Sequence, residues 1–168
     1  MISRIGDGVF AFESNQFNVF TQDIYGLLVK EAKASKQKRS RINFHNQNDK
    51  VHEMIICLLK NTKVAVHRHI NKSESFNVIE GKLGVILFHE DTNRIKEKIV
   101  LDSEECQRYY RLNASIYHLV VPISEYVILH ETTSGPFVKG DAEIPDWSLT
   151  EDGVLLLDSM RNKLVSGI

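Results

Sequence analysis

The densest cluster of chemically capable side chains lies between Asn61 and Gly81, where His67, His69 and Glu74 fall close together. A β-strand sends alternate side chains to opposite faces, so His67 and His69 share a face while Arg68 points the other way. The polar turn Asn71-Lys72-Ser73 then reverses the chain, and Glu74 opens a second strand with Phe76 and Val78 on its own face. Two imidazoles and a carboxylate meeting across one hairpin suit a divalent metal with open positions. His118, at the head of the apolar run His118-Leu119-Val120-Val121, offers a fourth ligand from a neighbouring strand. A single histidine on a strand is more often a satisfied core residue than a ligand. Three titratable groups buried together are different, because without a partner each charge costs several kcal/mol. A metal removes that cost by taking neutral imidazoles and an anionic carboxylate.

These residues carry a family resemblance. His67-x-His69, then Glu74, then Gly81 resembles the first motif of the cupins, and His118 resembles the histidine of their second motif. From about Arg41 to Trp147 the chain is similar, more narrowly, to the cupin-fold metalloproteins called WbuC, found among bacterial surface-polysaccharide genes. The segments concerned are Arg41-Ile42-Asn43-Phe44-His45, His67 through Glu74, and Pro145-Asp146-Trp147. Asn61 stands where the first motif usually opens with Gly, and Asn tolerates the left-handed backbone of a turn. In the second motif Gln107, Asn113, Ser115 and Pro122 replace the usual Gly, Pro, Gly and Asn. The resemblance implies an all-β cupin jelly-roll barrel. It also implies one metal held by His67, His69, Glu74 and His118, and a link to O-antigen, lipopolysaccharide or capsule biosynthesis.

The elements that must position this cluster follow from the rest of the chain. A length of 168 residues, 42% of them hydrophobic, fits one domain over 1–168 with a barrel core at about 41–132. The net charge of −1 gives no field that would draw the chain to nucleic acid or anionic membrane. Cys57 and Cys106 make no disulfide framework, and the longest apolar stretch, Met54 to Leu59, is too short to cross a bilayer. No signal peptide is evident at the start, so a soluble, cytoplasmic protein is expected.

Residues 1–20 read as one or two short strands punctuated by Gly6, Gly8 and Asn15. Asp23 is placed to cap a helix over 24–36, with Lys33, Lys36 and Lys38 near its C-terminal end. Six Lys or Arg residues against one Glu over 30–41 form either a solvated helix end or a basic rim for an anionic substrate. Short strands then recur to about Thr132, with a turn at 80–82 and a loop at 90–93. Ser148 and Glu151 have capping-box spacing for a C-terminal helix whose apolar stripe either packs on its own barrel or covers a second subunit.

Arg41, Asn43 and His45 alternate on one strand face, which makes either a polar edge or the wall of a binding cavity. Lys72 is either a solvated turn lysine or a point charge over the metal mouth, and Phe76, Val78, Ile116 and Val120 are expected as apolar lining. His52 and His89 are expected at the surface, while His130 has the parity to face either cavity or solvent. Three nitrogens and one oxygen leave one or two positions open, which suits Fe(II), Mn(II), Ni(II) or Zn(II). Two functional readings follow. One is a metal-dependent enzyme, an isomerase or oxygenase, acting on a sugar or nucleotide sugar. The other is a non-catalytic saccharide-binding or sensing module with a structural metal. A homodimer is expected in either case, because jelly-roll edges are usually covered.

Overall fold

The computed structural model of the chain describes residues 1–13, 16–90, 92–113, 115–138 and 140–167. The Asn15 break and the Asp91 position of the 90–93 loop lie outside them. The order is β1 (Ile2–Gly6), β2 (Val9–Phe12), α1 (Gln22–Ala34), β3 (Arg39–Asn43), β4 (Val51–Leu59), β5 (Arg68–His69) and β6 (Glu74–Glu80). There follow β7 (Lys82–Phe88), β8 (Ile95–Asp102), β9 (Tyr109–Leu112), β10 (His118–Pro122), β11 (Tyr126–Ser134) and β12 (Ala142–Glu143). A 3₁₀ turn, Asp146–Leu149, leads into α2 (Glu151–Ser166). The chain is thus mostly β with two helices.

The strands sort into a seven-stranded sheet, β1-β2-β3-β4-β11-β6-β9, a three-stranded sheet, β10-β7-β8, and the pair β12-β5. Hydrogen bonding does not close them into the single barrel expected from the sequence. Strand alternation decides what lies between and outside the two larger sheets. Leu58, Phe76, Val78, Val127 and Leu129 from the first sheet pack with Leu83, Val85, Leu101 and Val120 from the second, forming an apolar core. On the other side of the large sheet Ile42, Ile55, Cys57 and Ile128 bury the Ile24, Leu28 and Ala32 stripe of α1. On the outer side of the small sheet Ile86, Phe88, Leu119 and Val121 receive Leu157, Met160 and Leu164 of α2 together with Trp147. Each sheet therefore buries both faces, which explains why β4 and β10 read as near-continuous apolar runs.

Several local expectations are corrected. The α1 cap is Thr21, whose Oγ1 accepts from Ile24 N–H, and the helix ends at Ala34, so Lys36 and Lys38 lie beyond it. Helix α2 is capped by Thr150, whose Oγ1 accepts from Gly153 N–H at 3.1 Å. Ser148 instead sits in the 3₁₀ turn and donates to Pro145 O. The α2 stripe is narrower than its composition implies: Leu157 is buried, whereas Val154 and Leu155 are 47% and 64% exposed. Strand β11 runs on to Ser134, two residues past the expected end of the strand region at about Thr132. The 80–82 turn is as expected. Gly81 has φ +84°, and a Cβ there would sit 2.6 Å from Tyr126 O, so glycine is required.

Candidate metal centre

The two histidines and Glu74 do not meet across a hairpin. Strand β5 pairs with β12 and not with β6, with Ala142 opposite His69. A separate antiparallel bridge joins His67 to His118, with His67 N–H donating to His118 O and His118 N–H donating to His67 O. Backbone pairing between the β5 approach and β10 thus brings the first motif to the second. Asn71, at φ +58°, makes the turn that carries the chain from β5 into the large sheet, where Glu74 lies opposite Thr133 of β11 and Leu112 of β9.

One ligand atom from each of His67, His69, Glu74 and His118 can be chosen so that all lie within 4.8 Å of one another. Glu74 and His118 are buried, at 2% and 0% exposure, while His67 and His69 are partly so. His67 Nδ1 lies 2.9 Å from Ala65 O and His118 Nδ1 3.0 Å from Ile116 O. Donation from each Nδ1–H fixes the tautomer that leaves Nε2 as a lone pair. The Glu74 carboxylate is reached by His69 Nε2 at 3.2 Å and His118 Nε2 at 3.1 Å, and Tyr110 donates its hydroxyl to Oε1 at 2.5 Å. Nε2 of His118 is nonetheless buried without a well-directed hydrogen bond. In its neutral form this ring aims a lone pair at a carboxylate oxygen, an arrangement that needs a cation between them.

The electrostatics agree. Burial alone would disfavour the His118 imidazolium, but the neighbouring Glu74 carboxylate outweighs it and raises the ring's pKa. Burial likewise works against the Glu74 anion. The donors on His118 and His69, and the Tyr110 hydroxyl, overcome it and hold the carboxyl well below its usual range. His67 is driven the other way, down to about 4, by burial and by the positive charge on His118. Without an ion, Glu74 favours a cationic His118 while His67 is pushed towards its neutral form. With a divalent ion the same four groups offer three neutral nitrogens and one anionic oxygen, which fits Fe, Mn, Ni or Zn. These residues can therefore hold a metal.

The cluster opens into a cavity of about 270 Å³, lined by His67, His69, Glu74, Phe76 and Val120 together with Arg39, Arg41 and Glu131. Of the expected apolar lining, Phe76 and Val120 are present. Val78 lies in the core between the sheets, and Ile116 contributes the carbonyl that holds His118. A second cavity of about 490 Å³ adjoins it, with Arg41, His69 and Glu131 lining both. Asn43, His45 and Lys72 line this outer space, as do His52 and Phe137. The Arg41–Asn43–His45 face thus looks onto cavity rather than onto a bare edge.

Lys72 does not reach freely over the metal mouth. Its ammonium is held 2.8 Å from Asp141 and 2.9 Å from Pro136 O. His52, expected at the surface, is 5% exposed and stacked on His45 at 3.9 Å between ring centroids. His130 lies on the other face of β11, 3.5 Å from Glu53, in a separate pocket. Two residues at the site were not singled out from sequence. Tyr110 follows Tyr109, and only the register that sets it opposite Phe76 decides which ring enters. Glu131 shares the β11 face of Val127 and Leu129, a parity already present in strands that run to about Thr132.

Comparison with known proteins sets this geometry in context. Residues 20–101 match a family described as a domain of unknown function (DUF6016). No curated protein matches the sequence. Among solved structures the chain is similar to the capsular polysaccharide assembling protein CapF from Staphylococcus aureus, with 15% identity and a TM-score of 0.55 over 62% of this chain. The match covers 31% of CapF, so the chain spans about a third of that protein's length. A conserved protein of unknown function from Streptococcus pyogenes matches at 11% identity and TM-score 0.50, over 74% of this chain and 95% of its own. The fold is β-rich and shares its strand architecture with part of CapF. At these identities the likeness is one of fold. Among the described residues no helix is long and apolar enough to cross a membrane.

Proposed function

We propose that the chain is a metal-binding cupin of the WbuC type, acting in the cytoplasm on a sugar or nucleotide-sugar intermediate of bacterial surface-polysaccharide (O-antigen or capsule) biosynthesis. The observation that carries the reading is the placement of four converging ligand atoms at the wall of a cavity lined by both polar and apolar side chains. His67, His69 and His118 hold the ion through Nε2 and Glu74 through its carboxylate, while Tyr110 and the two backbone carbonyls keep the ligands oriented. A divalent ion supplies a Lewis acid at its open positions, able to polarise a carbonyl or hydroxyl. Arg41, Asn43, His45 and Lys72 form the polar wall that orients the ligand, and Phe76 supplies the apolar wall that limits water. The description of CapF as a capsular polysaccharide assembling protein supports the pathway.

The test is a binding screen of nucleotide sugars and free sugars against protein purified without chelator. The expected outcome is a saccharide that binds the metal-loaded chain and not its His67→Ala, His69→Ala variant. Binding unaffected by metal, or none across the panel, contradicts the reading. Turnover of the bound sugar marks an enzyme, and binding alone marks a sensing module.

Assembly is part of the proposal. Leu149, Val154 and Leu155 are exposed on and beside α2, and β1 is an edge strand, so a homodimer is expected. Sedimentation of a monomer at micromolar concentration would count against it.

A further inference from the structure

The inner face of β3 is not built as a sheet interior normally is. On its outer side Ser40 and Ile42 are buried against α1, at 2% and 0% exposure, with Ser40 Oγ donating to Leu28 O. The alternate positions Arg39 and Arg41 line the cavity above the metal centre. Their register partners on β4 are Leu58 and Ile56, two apolar side chains that line the same cavity. Two guanidiniums separated by one residue thus stand over an apolar floor. Among the described residues neither has a carboxylate within ion-pair distance, and Arg39 makes one neutral hydrogen bond, to Gln37. Both arginines are exposed at the mouth of the cavity, so an anion arriving from solution can meet their guanidiniums directly.

Resting on the reading of the site as a metal-dependent saccharide site, we infer that Arg39 and Arg41 select a ligand of sugar size that carries one anionic group. The guanidiniums bind the carboxylate or phosphate, while the ring reaches the metal centre. The cavity of about 270 Å³ suits a ring of that size and not a polymer. The acidic groups on its walls do not cancel the two arginines. Asp7 accepts from Lys36 N–H at the rim, Glu74 belongs to the metal set, and Glu131, which lines the same cavity, forms no ion pair with either guanidinium among the described residues. The Arg fork favours planar, bidentate oxygen pairs, which carboxylate and phosphate both present.

The experiment is calorimetric titration of the full chain loaded with Zn²⁺, at low salt, with D-glucuronate, D-glucose 6-phosphate and D-glucose. At least one anionic sugar is expected to bind at least about tenfold more tightly than glucose, the loss typical of one charge-assisted hydrogen bond. Comparing the two anions distinguishes a carboxylate from a phosphate ligand. The Arg39→Gln, Arg41→Gln double variant should lose that margin with its metal content unchanged, and raising the salt should narrow it in the native chain. A Lys96→Gln, Lys98→Gln control on β8 should keep the margin. Should the double variant not fold, Arg41→Gln alone, together with the salt titration, tests the same margin. Equal binding of glucose and the anions, or a margin that survives the arginine changes, overturns the inference and leaves the saccharide reading standing. Failure of all three sugars to bind the metal-loaded chain removes both.

Discussion

Replacing His67 and His69 together with alanine is expected to abolish tight metal binding while leaving the fold in place. Apparent affinities of about 10–16 kcal/mol for a four-ligand protein site imply roughly 3 kcal/mol per ligand, so two ligands cost about 6 kcal/mol, or ~10⁴-fold. The fold should survive because β5 is only two residues long and both rings lie at the cavity wall, outside the three apolar clusters. The His67–His118 bridge uses backbone groups, which alanine keeps. The same change at His118 is expected to be harsher on stability, because that ring is fully buried against Glu74. A double variant that unfolds outright would mean that the two rings stabilise the fold directly.

Replacing Glu131 with glutamine is expected to stabilise the metal-free protein at pH 8 and to change it little at pH 5. Burial, reinforced by the Glu74 charge, raises the folded-state carboxyl from 4.5 to about 8. A group raised on folding contributes fully below its unfolded value, and that contribution is lost as pH rises towards the folded value. The native chain therefore loses stability between about pH 4.5 and 8 through Glu131, and glutamine does not. The span corresponds to at most about 5 kcal/mol, and water entering the cavity screens it to the order of 2 kcal/mol. His67 works in the opposite sense: folding depresses it from 6.5 to about 4, so its contribution is present above 6.5 and is lost as pH falls. The comparison must therefore be made between variant and native chain at each pH. Denaturant unfolding of both at pH 5 and pH 8 is the measurement, and an equal difference at the two pH values would contradict the assignment.

Much of this site was legible from residue order, for reasons that differ from residue to residue. His67, His69 and Glu74 announce themselves by type and spacing and His118 by its resemblance to a second cupin motif, and the structure brings all four together. What joins them, however, is not the local hairpin that their spacing suggests. β5 pairs with β12 and not with β6, and the bridge to His118 is a long-range backbone contact that no local pattern reveals. Arg41 and Asn43 were readable because strand parity survives any register. Tyr110 was not, since it depended on which of two adjacent tyrosines turns inward, and Glu131 was passed over although it lay within the expected strand region on the parity of Val127 and Leu129. The barrel was implied by the resemblance, while strand spacing alone fits a sandwich or a barrel; closure depends on edge pairing, and here the sheets remain separate. The burial of His52 was missed because its charged neighbour Glu53 suggested surface, whereas its partners are His45 and the backbone near Gly135.

The central claim is that His67, His69, Glu74 and His118 hold one divalent ion, and the most direct measurement is elemental analysis of chelator-free protein, native and His67→Ala, His69→Ala, joined to X-ray absorption at the edge of whichever metal is found. The account predicts close to one ion per native chain, a first shell dominated by nitrogen and oxygen at ~2.0–2.2 Å with imidazole scattering, and almost no metal in the double variant. One tightly held ion per chain in the double variant, or a native chain that takes up no divalent metal, would contradict it.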